Sequence, residues 1–158
     1  MTTARGSFEV RGGTEDPYDE LEGGIKLTHA SGSQTFSGEI AGDGDVHWLM
    51  LYRADKTAHF VGLQRITGSI DGRTGSFVAA AEGDHDGTGS TITFSIIPNS
   101  GTGGLTGITG DGSLVAEGGP KGTYELDYTL AQMDRIEAFA RQRAEKEGWA
   151  APEGSGSR

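Results

Sequence analysis

The sequence predicts an all-β domain, an antiparallel β-barrel that ends in one amphipathic helix. Three observations carry this. Short runs of alternating apolar and polar residues recur through residues 1–130. Glycine is abundant, at 28 residues, and falls mostly between those runs, where it reads as turns. No stretch of helical period occurs before residues 132–146, where Met133, Ile136, Phe139 and Ala140 recur at helical spacing. Strands spaced in this way suit a barrel or a sandwich.

In chain order, residues 6–11 alternate with Phe8 and Val10 on one face and make a first strand. Residues 12–24 are acidic and turn-rich and read as a long loop. Residues 25–31 alternate again, grouping Ile25, Leu27 and His29, and a short strand follows around 34–40. Gly42-Asp43-Gly44 reads as a turn into a strand at 45–53, and Ala54-Asp55-Lys56 turns the chain into the longest strand, 57–70. Asp71-Gly72 and Asp86-Gly87 are hairpin signals that introduce strands at 76–85 and 91–97. Residues 98–112 read as a glycine-studded loop, and strands at 113–116 and 123–130 end the β part. The organisation expected is a barrel domain at 1–130, a helix at 131–148 that Gly148 terminates, and a disordered tail at 149–158.

Composition removes several function classes. The chain has 158 residues and no cysteine, so disulfides, thiolate catalysis and zinc–sulfur sites are excluded. A net charge of −10 opposes binding to phosphate backbones, so no nucleic-acid partner is expected. The start is polar and no apolar run approaches about 18 residues, so no membrane association is expected and a cytoplasmic protein is the default.

The hairpin of residues 45–70 is the informative part. A short turn at Asp55 sets Trp48 near Gln64 and Tyr52 near Phe60. One face then carries Val46, Trp48, Met50, Tyr52, Phe60, Gln64 and Ile66, the more aromatic set, taken as the interior. The other face carries His47, Leu49, Leu51, Arg53, His59, Val61, Leu63 and Arg65, and is partly apolar as well. The apolar patch of Leu49, Leu51, Val61 and Leu63 on this outer face needs a cover, either the helix at 132–146 or a second subunit, with a homodimer favoured.

Few motifs carry chemistry. There is no Gly-x-Ser-x-Gly, and Gly101-Thr102-Gly103-Gly104 lacks the Lys-Ser/Thr of a phosphate loop. Asp84-His85-Asp86-Gly87 lacks the later acidic ligands of a calcium loop. His47 and His59 share a face but are offset by about four residues, roughly 13 Å, too far for one ion. No metal and no organic cofactor is expected.

The candidate site is therefore interior. Gln64 sits mid-strand among apolar neighbours, where an amide must find partners. It is either a satisfied core amide or a donor that polarises a ligand oxygen. Tyr52, Tyr124 and Tyr128 share inward parity, and their hydroxyls need partners as well. His29, grouped with Ile25 and Leu27, is either a core histidine or a pocket acid–base. Ala79, Ala81 and Gly83 share the parity of Phe77 and, with Gly62, leave room in an aromatic-lined cavity. Gln64, Tyr52 and His29 are the catalytic candidates. Trp48, Met50, Phe60, Phe77, Ala79, Ala81, Tyr124 and Tyr128 are the substrate-binding candidates.

The runs Lys26-Leu27-Thr28-His29-Ala30-Ser31, Phe60-Val61-Gly62-Leu63, Gly72-Arg73-Thr74-Gly75-Ser76-Phe77-Val78, Pro98-Asn99-Ser100-Gly101-Thr102-Gly103 and Tyr124-Glu125-Leu126-Asp127-Tyr128 closely resemble the bacterial DUF3224 family, in order over residues 3–130. The resemblance implies eight antiparallel strands closed around a narrow, mostly apolar cavity, a barrel of the allene-oxide-cyclase or lipocalin-like type. Related barrels include plant allene oxide cyclase and bacterial cyclases of polyketide intermediates. The chain departs from the family pattern at Gln64, where Glu is usual, and near Ala81, where a His is frequent. A neutral cavity of this kind suits a bulkier apolar substrate.

These expectations converge on a cyclase or isomerase that folds a reactive, largely apolar intermediate, polyketide-like, inside the barrel. Ring closure of that kind needs confinement and a polarising donor more than a strong base. A non-catalytic barrel binding a small hydrophobic ligand is the alternative, and a purely structural role is a third.

Overall fold

The computed structural model describes residues 1–130, so the helix and tail expected at 131–158 lie outside the described residues. Among the described residues there are nine strands: β1 (Thr2–Leu21), β2 (Ile25–Gly38), β3 (Ile40–Tyr52), β4 (Ala58–Ile70), β5 (Arg73–His85), β6 (Ser90–Ile96), β7 (Thr102–Gly103), β8 (Thr109–Ala116) and β9 (Lys121–Thr129). All except β7 join one antiparallel ring in the order β4-β3-β2-β1-β9-β8-β6-β5, closed by β5 pairing back onto β4. The result is an eight-stranded, up-and-down barrel. The two-residue β7 merely extends one end of β5, opposite Gly75 and Ser76.

Period-two alternation decides which side chains enter. Along β4, Ala58, Phe60, Gln64, Ile66 and Ile70 are buried, while Val61, Leu63 and Arg65 face out. The inward residues of eight strands compete for a lumen only wide enough for side chains. Glycines resolve the competition. A Cβ on Gly62 would lie 2.8 Å from the Trp48 ring, one on Gly83 2.8 Å from Phe60, and one on Gly44 2.7 Å from Phe36. The room that small residues make is thus filled by rings from neighbouring strands, and the centre of the barrel is packed. Phe36 also meets Phe8 at 6.0 Å and Tyr124 edge-on at 5.6 Å.

The two ends differ. At one end, where β4 turns into β5, residues 97–108 fold across the opening and bury Leu105 and Ile108 against Ile40, Ile70 and Ile96. That segment is held by Ser100, whose hydroxyl donates to the Ile97 carbonyl (2.7 Å) and accepts from the Val78 amide (3.1 Å). The opposite end, at the β3–β4 turn, has no such plug among the described residues. Its turns are tied by aspartates. Asp86 Oδ1 accepts from the amides of Thr88 and Gly89 and from the Thr88 hydroxyl, at 2.8–2.9 Å. Those donors, the two amides foremost, bring the carboxyl down to about 2.

Several boundaries differ from those the sequence predicts. Residues 12–21 are no loop: β1 continues to Leu21 along β2, with irregularities between Val10 and Gly12 and between Pro17 and Asp19. Their acidic, Pro-bearing composition suits an edge strand, because beyond Glu9 this stretch has lost its β9 partner. Gly42 and Gly44 lie inside β3, and the chain reverses instead at Gly38, whose φ of +101° only glycine adopts readily. Within 98–112, β7 forms and β8 already starts at Thr109. In the central hairpin Trp48 faces Gly62, Gln64 faces Val46 and Tyr52 faces Ala58. This register is two residues from the expected one, and an even slip leaves every side chain on its face. Asp71 and Gly72 do form the two-residue hairpin, both at positive φ.

The packing of rings on glycine gives a direct expectation. A Gly122→Ala methyl would lie 2.6 Å from the Phe8 ring and would also press on the Val115 carbonyl. Overpacking of this sort costs about 1–3 kcal/mol. Urea denaturation should show a loss of that order, and adding Phe8→Leu should recover only part of it, because the carbonyl contact remains.

Candidate binding site at the barrel mouth

The unplugged end is shaped by β1. Its last tie to the neighbouring turn is the Val10 amide donating to the Pro120 carbonyl (2.7 Å), after which β1 runs out along β2 alone. This overhang and the adjoining part of β3 curl around a cavity of about 320 Å³ lined by Val10, Gly13, Glu15, Gln34, Val46 and Trp48, among others. That volume is at the small end of ligand pockets. Trp48 forms one wall and is held by an edge-on contact with Phe60 (4.8 Å, 76°).

Two polar groups meet there. Glu15 lies opposite Ala30 on the inward side, and its Oε2 accepts from the Thr28 hydroxyl (2.7 Å) and the Tyr52 hydroxyl (2.6 Å). Thr28 is almost wholly buried, so its hydroxyl depends on this bond. Burial, and next the bond to Glu15 and its charge, push the Tyr52 phenol far above its ordinary value. Tyr52 therefore remains a donor at any physiological pH. Deeper in, Gln64 is fully buried and its Nε2 donates to Oε1 of Gln34, itself a cavity-lining residue. Because the Gln34 oxygen is engaged in this way, its amide nitrogen is the part left to act on a ligand. Gln64 Oε1 is buried with no hydrogen-bond partner among the described residues.

The residues singled out from sequence divide into three groups. Trp48, Met50, Tyr52 and Phe60 gather at the mouth, with Gln64 behind them and Ala79 and Ala81 opposite Gln64 and Gly62 on β5. Phe77, Tyr124 and Tyr128 are buried nearer the plugged end. Tyr124 is bound into the framework: its hydroxyl accepts from the Ile40 amide (2.8 Å) and donates to the Ser37 carbonyl (2.8 Å), pinning the β2–β3 turn. Burial raises the phenols of Tyr124 and Tyr128.

His29 is the correction. It is exposed on the outside of β2, since Thr28 and Ala30 take the inward places, and it stacks on His47. Its expected role as a pocket acid–base falls away. Ile25 and Leu27 suggested the wrong parity because they are half-buried residues of the outer face. Glu15, Thr28 and Gln34 are what the sequence reading missed. The signal for Thr28 and Gln34 was their shared parity with Phe36; Glu15 was hidden by the turn-like composition around it.

The fold and mouth define a closed β-barrel with a small, partly polar pocket at one end. The chain belongs to the DUF3224 family, a family of unknown function, whose model matches residues 4–128. It is similar to a crystal structure of a DUF3224 protein of unknown function from Shewanella oneidensis MR-1, at 28% identity and a TM-score of 0.67, over 82% of this chain and 97% of that one. No curated protein matches. Among the described residues no helix is long and apolar enough to cross a membrane.

One titration on the outer wall is testable. The protonated His59 ring donates from Nδ1 to Asp84 (2.9 Å) and from Nε2 to Glu82 (3.0 Å), and these carboxylates, the Asp84 bond first, raise its pKa. A raised folded pKa means stability that is present below the unfolded value of about 6.5 and is lost as pH rises through the folded value. The stability difference between the wild type and His59→Gln should therefore be largest near pH 5.5 and shrink by pH 8. Thermal melts across that range check it, and a difference that grows with pH would contradict the assignment.

Proposed function

We propose that the barrel binds a small, mostly apolar molecule carrying one hydrogen-bonding head, seated at the mouth between Trp48 and Val46 with its head toward Glu15 and Gln34. The observation that carries this is the conjunction of an aromatic wall, a carboxylate and an engaged amide around one cavity of about 320 Å³. The packed centre of the barrel supports a ligand at the mouth over one threaded through the lumen.

N-phenyl-1-naphthylamine, an apolar probe with one N–H donor, is small enough for this volume. In a Trp149→Phe background it should quench Trp48. Glu15→Gln, which removes the charged acceptor for the probe's N–H, should weaken it by about 2–10-fold, the worth of one hydrogen bond. Equal binding to Trp48→Ala would remove the mouth from consideration.

A second reading, cyclisation or isomerisation of an apolar biosynthetic intermediate, has one observation in its favour. Glu15 and Tyr52, whose phenol is pushed upward by burial, place a base and a donor 2.6 Å apart at the rim of the cavity, the pairing that proton shuttling about a carbonyl requires. Under this reading Glu15→Gln abolishes turnover, a loss far larger than its effect on probe affinity.

The outer face of the central hairpin supports a homodimer. Leu49, Val61 and Leu63 are 53%, 43% and 53% exposed and adjacent on β3 and β4. Sedimentation of the full chain should give a dimer mass that Leu63→Asp reduces to a monomer. A wild-type monomer would refute the assembly.

A further inference from the structure

His29 and His47 make a second feature, on the opposite side of the wall from the mouth. They sit diagonally across β2 and β3, His29 opposite Leu49 and His47 opposite Ser31, with their rings stacked at 5.4 Å and 18°. Nε2 of His29 and Nδ1 of His47 are 3.2 Å apart. Both side chains are exposed, and among the described residues no carboxylate ties either ring, in contrast to His59.

We propose that His29 and His47 form a surface chelate for a divalent transition-metal ion of borderline softness, such as zinc or copper(II). The separation of the two nitrogens is the main argument. Imidazole nitrogens bind zinc at about 2.0–2.1 Å, and two such bonds span about 2.9 Å at a right angle and about 3.3 Å at the tetrahedral angle. A spacing of 3.2 Å lies between those limits, so an ion can take the place of the shared proton once the rings turn to aim both lone pairs at it. Imidazole is a suitable ligand for both metals.

The strand register places Asp16 where its side chain can become a third ligand. Asp16 lies directly opposite His29 on β1, and side chains so placed have Cβ atoms about 4.5–5.5 Å apart. No group of three or more His, Cys, Asp or Glu side chains is already gathered for a metal among the described residues. The site is thus a two-nitrogen chelate that Asp16 completes by a change of rotamer, with water in the remaining position. Binding would join β1, β2 and β3 across the overhang that forms the mouth.

The test is calorimetric titration of the untagged full chain with zinc chloride and with copper(II) sulfate, together with the melting temperature in each metal. One ion per chain should bind and raise the melting temperature, since a ligand of the folded state stabilises it. His29→Gln or His47→Gln should weaken binding at least about tenfold, roughly 1.4 kcal/mol. Asp16→Asn should weaken it less, and His59→Gln should leave it unchanged. Because all four side chains are on the surface, circular dichroism of the variants should match the wild type. Binding that survives the double His29→Gln, His47→Gln substitution, or that disappears with His59→Gln, overturns the proposal. Loss of N-phenyl-1-naphthylamine binding would leave this result untouched.

Discussion

The constraint on which the rest of this structure depends is the width of an eight-stranded ring. Such a ring encloses enough room for side chains and little more. It cannot accept a large residue at every inward position, so each ring of Phe8, Phe36, Trp48, Phe60 and Phe94 rests against a glycine on an adjoining strand. A glycine without its aromatic neighbour would leave a void, and an aromatic without its glycine would have no place. The pairs also resist slippage, because a shift in register would set ring against ring. The abundance of glycine is therefore a packing requirement as much as a turn signal.

That dual use explains which parts of the fold were legible in sequence. Hairpins with unambiguous chemistry, Asp71-Gly72 and Ala54-Asp55-Lys56, stand where the pattern puts them. The facing of the whole central hairpin is also right, because period-two alternation survives an error of two residues. Gly42 and Gly44 misled, since a glycine under a ring and a glycine in a turn look identical in one dimension. Residues 12–21 misled for a related reason: an exposed edge strand selects charge and proline to discourage further pairing, and the same composition marks a loop.

The site was legible in its apolar half only. Trp48, Met50 and Phe60 announce themselves by size and parity. The polar half is assembled by contacts between strands distant in sequence: Glu15 to Tyr52, and Gln34 to Gln64. Neither link has a local signature. His29 failed differently, because one strand carried apolar residues on both sides and its inward face could not be recognised until Thr28 and Ala30 were seen against Glu15 and Trp48.

The alternation along β2 has a further consequence. Thr28 and Ala30 look inward to the mouth, while His29, one peptide unit from each, looks outward. The wall here is one residue thick, so a molecule held inside and an ion held outside would grip the same backbone. Whatever free energy one of them contributes by stiffening that segment lowers the ordering cost met by the other. Linkage makes such an influence equal in both directions. Two sites so placed would be joined through a single strand, by conformational entropy rather than by displacement.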